Sequence, residues 1–243
     1  MERFYRLSHR QEDLVHFQVV VKETDLDIGV RRERFSPELV RRAEEIVRAC
    51  RAPLEEYVKR DPAFLRSLVP YDPLPGAPEM VVEMARAARA AGVGPMAAVA
   101  GAIAGRVGRA LARFSRDVVV ENGGDIYICG TRTRRVGVYA GSSPFSGRLA
   151  VEVRPQDMPL GICTSSGTVG HSLSFGVADA VVVLSPNAAL ADAVATAAGN
   201  LVKGPEQVQE AVDFAASIPG VTGVLVICRD RLAVWGRVRL LPV

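Results

Sequence analysis

Residues 187–202, NAALADAVATAAGNLV, restrict the fold more than any other stretch of the chain. Leu190, Val194, Ala197 and Leu201 repeat at helical spacing, and Asn187 stands where an N-cap belongs. The opposite face holds Ala, Gly, Thr and a single Asp. A helix that is apolar or small all round belongs in an interior. Asp192 is then a carboxylate inside a core, where it needs a partner or a metal. Thr196 follows four residues later on the same side, and an Asp and a Thr oxygen converging at that spacing suit a hard cation such as Mg²⁺. The competing expectation is a buried Arg beside Asp192, with Thr196 bonding back to its own helix.

The remaining pattern mixes short strands with helices. Phe17, Val19 and Val21 alternate with Gln18, Val20 and Lys22, and an Asp25-Leu26-Asp27 turn leads to a strand near 28–31. Ser36-Pro37-Glu38 starts a helix that Pro53 is expected to interrupt, with shorter helical pieces to Leu68. Helices are also expected over 79–90, 95–114, 187–202 and 205–217. Strands are expected at 117–121, 125–129, 134–139, 147–153, 177–184, 221–228 and 231–240. Because regular strand–helix alternation is absent, the class is α+β, with antiparallel hairpins packed on long buried helices. The proline-rich PYDPLPGAP at 70–78 is a stiff loop and the natural place for a lobe break within a single domain spanning 1–243.

Charge and cysteines narrow the function classes. A net charge of +3 on 243 residues, without a basic stripe interleaved with aromatics, argues against nucleic acid as a partner. Cys50, Cys129, Cys163 and Cys228 never approach CxxC spacing, which disfavours a zinc cluster or a small disulfide scaffold. The polar N-terminus has no apolar signal segment, and the apolar run 90–105 is short for a bilayer, so a cytoplasmic location without membrane contact is the expectation.

Three further stretches invite chemistry. In ENGGDI, Asn122, Gly123 and Gly124 are turn residues that tolerate positive φ, and Asp125 sits directly against the second strand. GVGPMAAVAGAIAGRVGRAL offers glycines for close helix packing, or free N–H groups near Gly92 and Gly94 for an anion, with Arg106, Arg109 and Arg113 gathered toward its end. CTSSGTVGHSLSFG, 163–176, supplies hydroxyls and glycines suited to phosphate oxygens, and His171 as a proton-transfer base. Cys163 beside them is expected to be an ordinary buried strand residue.

Taken in order, GAIAG at 101–105, VENGGDI at 120–126, TSSGTVGH at 164–171 and ADAVAT at 191–196 resemble the ApbE superfamily of FAD:protein FMN transferases. The likeness covers roughly half of the chain, about 95–203, and points to a shorter branch of ApbE-like proteins. It implies an ApbE-like fold, Mg²⁺ and FAD as cofactors, and a small nucleotide ligand. Asp192, Thr196 and the Ala104 carbonyl are then metal ligands, and His171 the catalytic group. Gly101, Asn122, Gly123, Gly124, Asp125, Thr164, Ser165, Ser166 and Gly167 line the ligand. A protein target follows from the transferase activity, and open hairpin edges near the C-terminus suit a homodimer. The sequence departs from the transferases at two points. Gly105 replaces their Lys, and HSLSFG replaces their His-Ile-x-Asp-Pro-x-Thr-Gly. The expected function is therefore Mg-dependent binding of FAD or a related phosphorylated ligand, with cleavage or transfer at a phosphate. Its alternatives are a non-catalytic flavin-binding protein and a site repurposed for sulfur or cofactor metabolism.

Overall fold

A computed structural model describes residues 11–169 and 174–243. An eight-stranded antiparallel sheet forms its middle layer. In spatial order the strands are β1 (Leu14–Val21), β2 (Thr24–Arg31), β3 (Val118–Asn122), β4 (Asp125–Cys129), β7 (Leu160–Ser165), β8 (Ala180–Ser185), β9 (Gly223–Cys228) and β10 (Arg231–Gly236). A smaller sheet, ordered β11 (Arg239–Pro242), β6 (Leu149–Val153), β5 (Arg134–Gly137), covers one face. Alternation along each strand separates two cores. Val119, Ile126, Ile128, Ile162, Val182 and Leu225 face the small sheet. Val118, Val120, Tyr127, Cys163, Val181 and Val183 face the helices.

Those helices are α1 (Pro37–Arg60), α2 (Pro62–Arg66), α3 (Glu79–Ala91), α4 (Val99–Leu111), α5 (Ala188–Leu201) and α6 (Val208–Ala216). Ser36 and Asn187 cap as their sequence position demands: Ser36 Oγ accepts the Leu39 N–H at 3.2 Å, and Asn187 Oδ1 accepts the Ala189 N–H at 2.9 Å. α5 lies at the centre, against α3, α4, α6, β7 and β8. Its small residues permit this. A Cβ on Gly101 would stand 2.3 Å from the Ala188 carbonyl oxygen, and one on Gly108 would enter the Tyr127 ring. Close packing is thus the use of the glycines in α4. Gly92 instead ends α3 with φ +74°, and its N–H bonds the Arg89 carbonyl, so it is not available to an anion. The apolar run through it bends by 103° between α3 and the 95–111 segment, and among the described residues no single helix is long and apolar enough to cross a membrane.

Several expectations are corrected. α1 continues through Pro53, which is exposed, so the Ala49 carbonyl deprived of its partner faces the surface rather than the core. Asp25, Leu26 and Asp27 belong to β2, and the turn falls instead at Lys22-Glu23, with Lys22 at φ +53°. Thr164 and Ser165, expected in a loop, continue β7 beyond Cys163, which is the buried strand residue expected. The expected strand 231–240 breaks at Gly236, φ +74°, and its two halves join different sheets. The 70–78 loop is tied back to α1: Tyr57 and Tyr71 hydroxyls both donate to Asp61, at 2.7 and 2.8 Å, and the Leu74 N–H donates to the Tyr57 oxygen at 2.9 Å.

Candidate functional site

The site grows from the turn between β3 and β4. Asn122 pairs with Asp125 across it, leaving Gly123 and Gly124 at φ +68° and +103°, the positive values a two-residue hairpin requires. No atom lies within 4 Å of where a Gly123 Cβ would sit, so the tip is open. Glu121, fully buried, holds the turn from beneath by accepting the Gly124 N–H at 2.8 Å. Nothing in the sequence marked Glu121 beyond a charge inside a β-branched run.

Asp192 has neither a buried Arg nor an isolated position. Its Oδ2 accepts the Gly101 N–H at 2.8 Å, and the Ala100 N–H also favours its charge. A side chain of α5 therefore caps the first turn of α4, where unpaired N–H groups and the helix dipole both attract an anion. Asn122 completes the junction by donating to the Ala100 carbonyl at 3.1 Å. Ala104 lies further along α4, and its carbonyl points toward the helix C-terminus. The segment of α4 that meets the Asp192 carboxylate is Ala100–Gly101. Thr196 is half-buried one turn after Asp192 on α5.

Asp125 faces the same point. It is buried, and its Oδ1 has no hydrogen-bond partner. Burial and then the nearby Asp192 charge push its carboxyl well above the usual range, against an opposing pull from the Cys163 thiol and the Thr164 backbone. Asp192 is half-buried by surface yet densely surrounded by protein. Desolvation raises it to about 7 although the Gly101 and Ala100 N–H groups oppose the rise. Two neighbouring carboxylates therefore remain incompletely compensated. Such a pair is a mark of functional sites. Cys163 lies between them, fully buried, donating to the Ala188 carbonyl at 3.3 Å. Burial and both aspartates push its thiol well upward, which keeps it protonated and a poor nucleophile.

Thr164 and Gly124 meet side by side, since a Gly124 Cβ would stand 3.6 Å from the Thr164 carbonyl oxygen. Ser165 turns toward Gly199 of α5. Ser166 Oγ accepts the Thr168 and Val169 N–H groups at 3.1 and 3.0 Å, and the Gly167 N–H bonds the Ala178 carbonyl at 2.9 Å. Ser166 and Gly167 thus shape their loop, while Thr164 belongs with Gly101, Asn122, Gly124, Asp125 and Asp192. His171 lies outside the described residues.

A family model described as "AbpE bacteria" matches residues 6–234. The chain belongs to this ApbE-like family. Its relatives include the UPF0280 protein of Methanosarcina acetivorans, 41% identical over 225 residues, covering 92% of this chain and 86% of that protein. The UPF0280 protein of Methanocella arvoryzae is 46% identical over 188 residues, 77% of this chain and 76% of that one. Among solved structures, the ApbE-like fold recurs in the flavinyl transferase ApbE of Pseudomonas stutzeri, with TM-score 0.61 and 13% identity over 91% of this chain and 94% of that one. The flavin transferase ApbE of Vibrio cholerae superposes with TM-score 0.55 and 14% identity, over 91% and 96% of the two chains. At such identities these two likenesses establish the fold alone, here the helix-and-antiparallel-sheet arrangement described above.

Proposed function

We propose that this ApbE-like chain binds FAD or a related phosphorylated ligand together with Mg²⁺, and that it acts at a phosphate of that ligand. The observation that carries this reading is the unpartnered Asp125 Oδ1 buried beside Asp192. Two desolvated carboxylates, one of which raises the proton affinity of the other, are relieved by a shared divalent cation. The donor chemistry suits a hard ion: carboxylate oxygens of Asp125 and Asp192, with the Thr196 hydroxyl on the same helix face. Among the described residues no three His, Cys, Asp or Glu side chains group as metal ligands. A pair of carboxylates completed by waters and ligand phosphates is the usual company of Mg²⁺ and not of Zn²⁺. A bound Mg²⁺ would supply charge neutralisation at a phosphoanhydride. The chain itself contributes an open Gly123-Gly124 tip that admits the ligand, and the Thr164 hydroxyl at the site edge. The location proposed is cytoplasmic, where free Cys50, Cys129, Cys163 and Cys228 stay reduced.

A second reading rests on a specific departure. HSLSFG at 171–176 lacks the Asp-Pro and Thr of the transferases, which favours a flavin-binding role without turnover. The protonated state of buried Cys163 gives no support to the sulfur-transfer alternative. Thermal melts with FAD, FMN, ADP and ATP, each with and without Mg²⁺, test binding. The expected result is a stabilisation by FAD that needs both Mg²⁺ and Asp192, lost in Asp192→Asn. No shift with any nucleotide would defeat the proposal, while FAD binding without AMP release would select the second reading.

A further inference from the structure

Away from the carboxylates, a cleft of about 1090 Å³ opens between α1, α3 and the C-terminal half of α4. It lies at the other end of α4 from the site above: from Gly101 to Arg109 the helix rises about 12 Å. Its walls have two chemistries. The apolar surface is wholly aliphatic, from Ile46, Met80, Val82, Ala87, Leu190 and Pro219, and no aromatic ring lines it. The polar surface is arginine-rich: Arg86 from α3, Arg106 and Arg109 from α4 and Arg113 from the turn after it, against Glu79 and Glu83.

These arginines are not equivalent. Arg106 is fixed, with Nε donating to Glu83 at 2.9 Å and Nη1 to Glu79 at 3.2 Å. Arg109 reaches Glu83 only at 3.5 Å, and its guanidinium lies over Gly105, where a Cβ would come within 3.2 Å of Nη1. Gly105 therefore leaves room for Arg109 to lie back along α4. Arg86 and Arg113 are exposed and have no ion-pair partner among the described residues. Glu79 and Glu83 offset Arg106 and part of Arg109, which leaves Arg86 and Arg113 as positive charge on the cleft wall. The helix dipole accounts for some cationic preference at that end. It accounts neither for Arg86, which comes from another helix, nor for an aliphatic floor beside the charges.

We propose that this cleft binds an organic anion with an aliphatic chain, its carboxylate or phosphate head held by Arg86, Arg109 and Arg113 and its chain laid along the Met80–Leu190 floor. The arginine forks suit either head group. The absence of aromatic rings selects an aliphatic body over a nucleobase or an isoalloxazine. This ligand differs in kind from the one proposed for the carboxylate site, and the two sites fail or succeed separately.

Isothermal titration of the full chain with decanoate, decyl phosphate, decanol and inorganic phosphate, all below micelle-forming concentrations, tests it. Saturable binding of at least one decyl anion is expected, at least about tenfold tighter than decanol or inorganic phosphate. The stronger of decanoate and decyl phosphate identifies the head group. Arg109→Gln/Arg113→Gln, at two exposed positions and with its fold checked by circular dichroism, should weaken that binding by about tenfold or more. Bound ligand should also slow maleimide labelling of Cys50, a half-buried thiol of the cleft wall, as read by peptide mass mapping. Unsaturable binding of both decyl anions, or equal binding by the double variant, overturns the proposal. So does binding lost in Asp192→Asn but retained in the arginine variant, because it would move the ligand to the carboxylate site.

Discussion

The β3–β4 hairpin carries a buried aspartate at each end, and the two are handled in opposite ways. At the open end, Asp117 is fully buried and saturated: Arg31 pairs with it, Arg134 Nη2 reaches it at 3.1 Å, and the Thr131 N–H donates at 2.8 Å. Burial alone would raise its pKa, but the Thr131 N–H and the two guanidiniums outweigh it and hold the carboxyl below its usual value. At the turn end, Asp125 is buried with an idle oxygen and a second carboxylate nearby, and its pKa moves the other way. One hairpin thus separates a carboxylate that fastens the fold from one left with unused capacity. The physical lesson is that burial does not decide the state of an acid; its partners do.

The largest effect belongs to the saturated end. Asp117→Ala takes from buried Arg134 one of its two carboxylate partners, leaving it Asp13, and unpairs the Thr131 N–H, so it should cost about 2–3 kcal/mol of unfolding free energy by urea titration. A loss under about 1 kcal/mol would show that the network is not a structural clamp and would dissolve the contrast.

Next comes pH. Asp125 and Asp192 have raised folded-state pKa values, so without metal the stability tied to their protonated forms is complete below about pH 4 and is lost as pH climbs through those raised values, about 7 for Asp192. Asp117 has the opposite sign: its contribution is present above the ordinary Asp range and disappears as pH falls through its lowered folded value. Metal-free Asp125→Asn/Asp192→Asn should therefore melt with wild type at pH 4 and several degrees above it at pH 8. A difference that stays constant with pH would mean the pair is not strained.

The smallest effect tests the turn joining them. Gly123→Ala meets no atom but must adopt φ +68°, so it should cost about 1 kcal/mol, with Gly123→Asn costing less. If Ala were neutral, the turn would have relaxed, and FAD-dependent stabilisation should fall with it.

Much of this arrangement was legible from local pattern. The strands expected at 117–121 and 125–129 are β3 and β4 within one residue, and α5 spans Ala188–Leu201 against an expected 187–202. What escaped depends on partners distant in the chain. β7 runs on from Cys163, a strand residue by expectation, into the polar pair Thr164-Ser165, which reads as a loop; their extended form comes from pairing with β8. The need of Asp192 for a partner was evident, but the partner, the first turn of α4, lies 91 residues away. Asp125 was placed at the site edge, whereas its electrostatic coupling to Asp192 emerges only once β4 and α5 pack together.

The crossing at Gly236 has a consequence for the order in which the molecule is assembled. β10 closes the edge of the large sheet, and β11 then leaves it to pair with β6, from which it is separated by roughly 85 residues of chain. The β5–β6 pair can form early from neighbouring sequence, yet one edge of β6 stays open until the whole helical side has been synthesised. During translation, the core between the sheets is therefore the last to be sealed, and the exposed edge of β6 is the place where a nascent chain is most open to pairing with another.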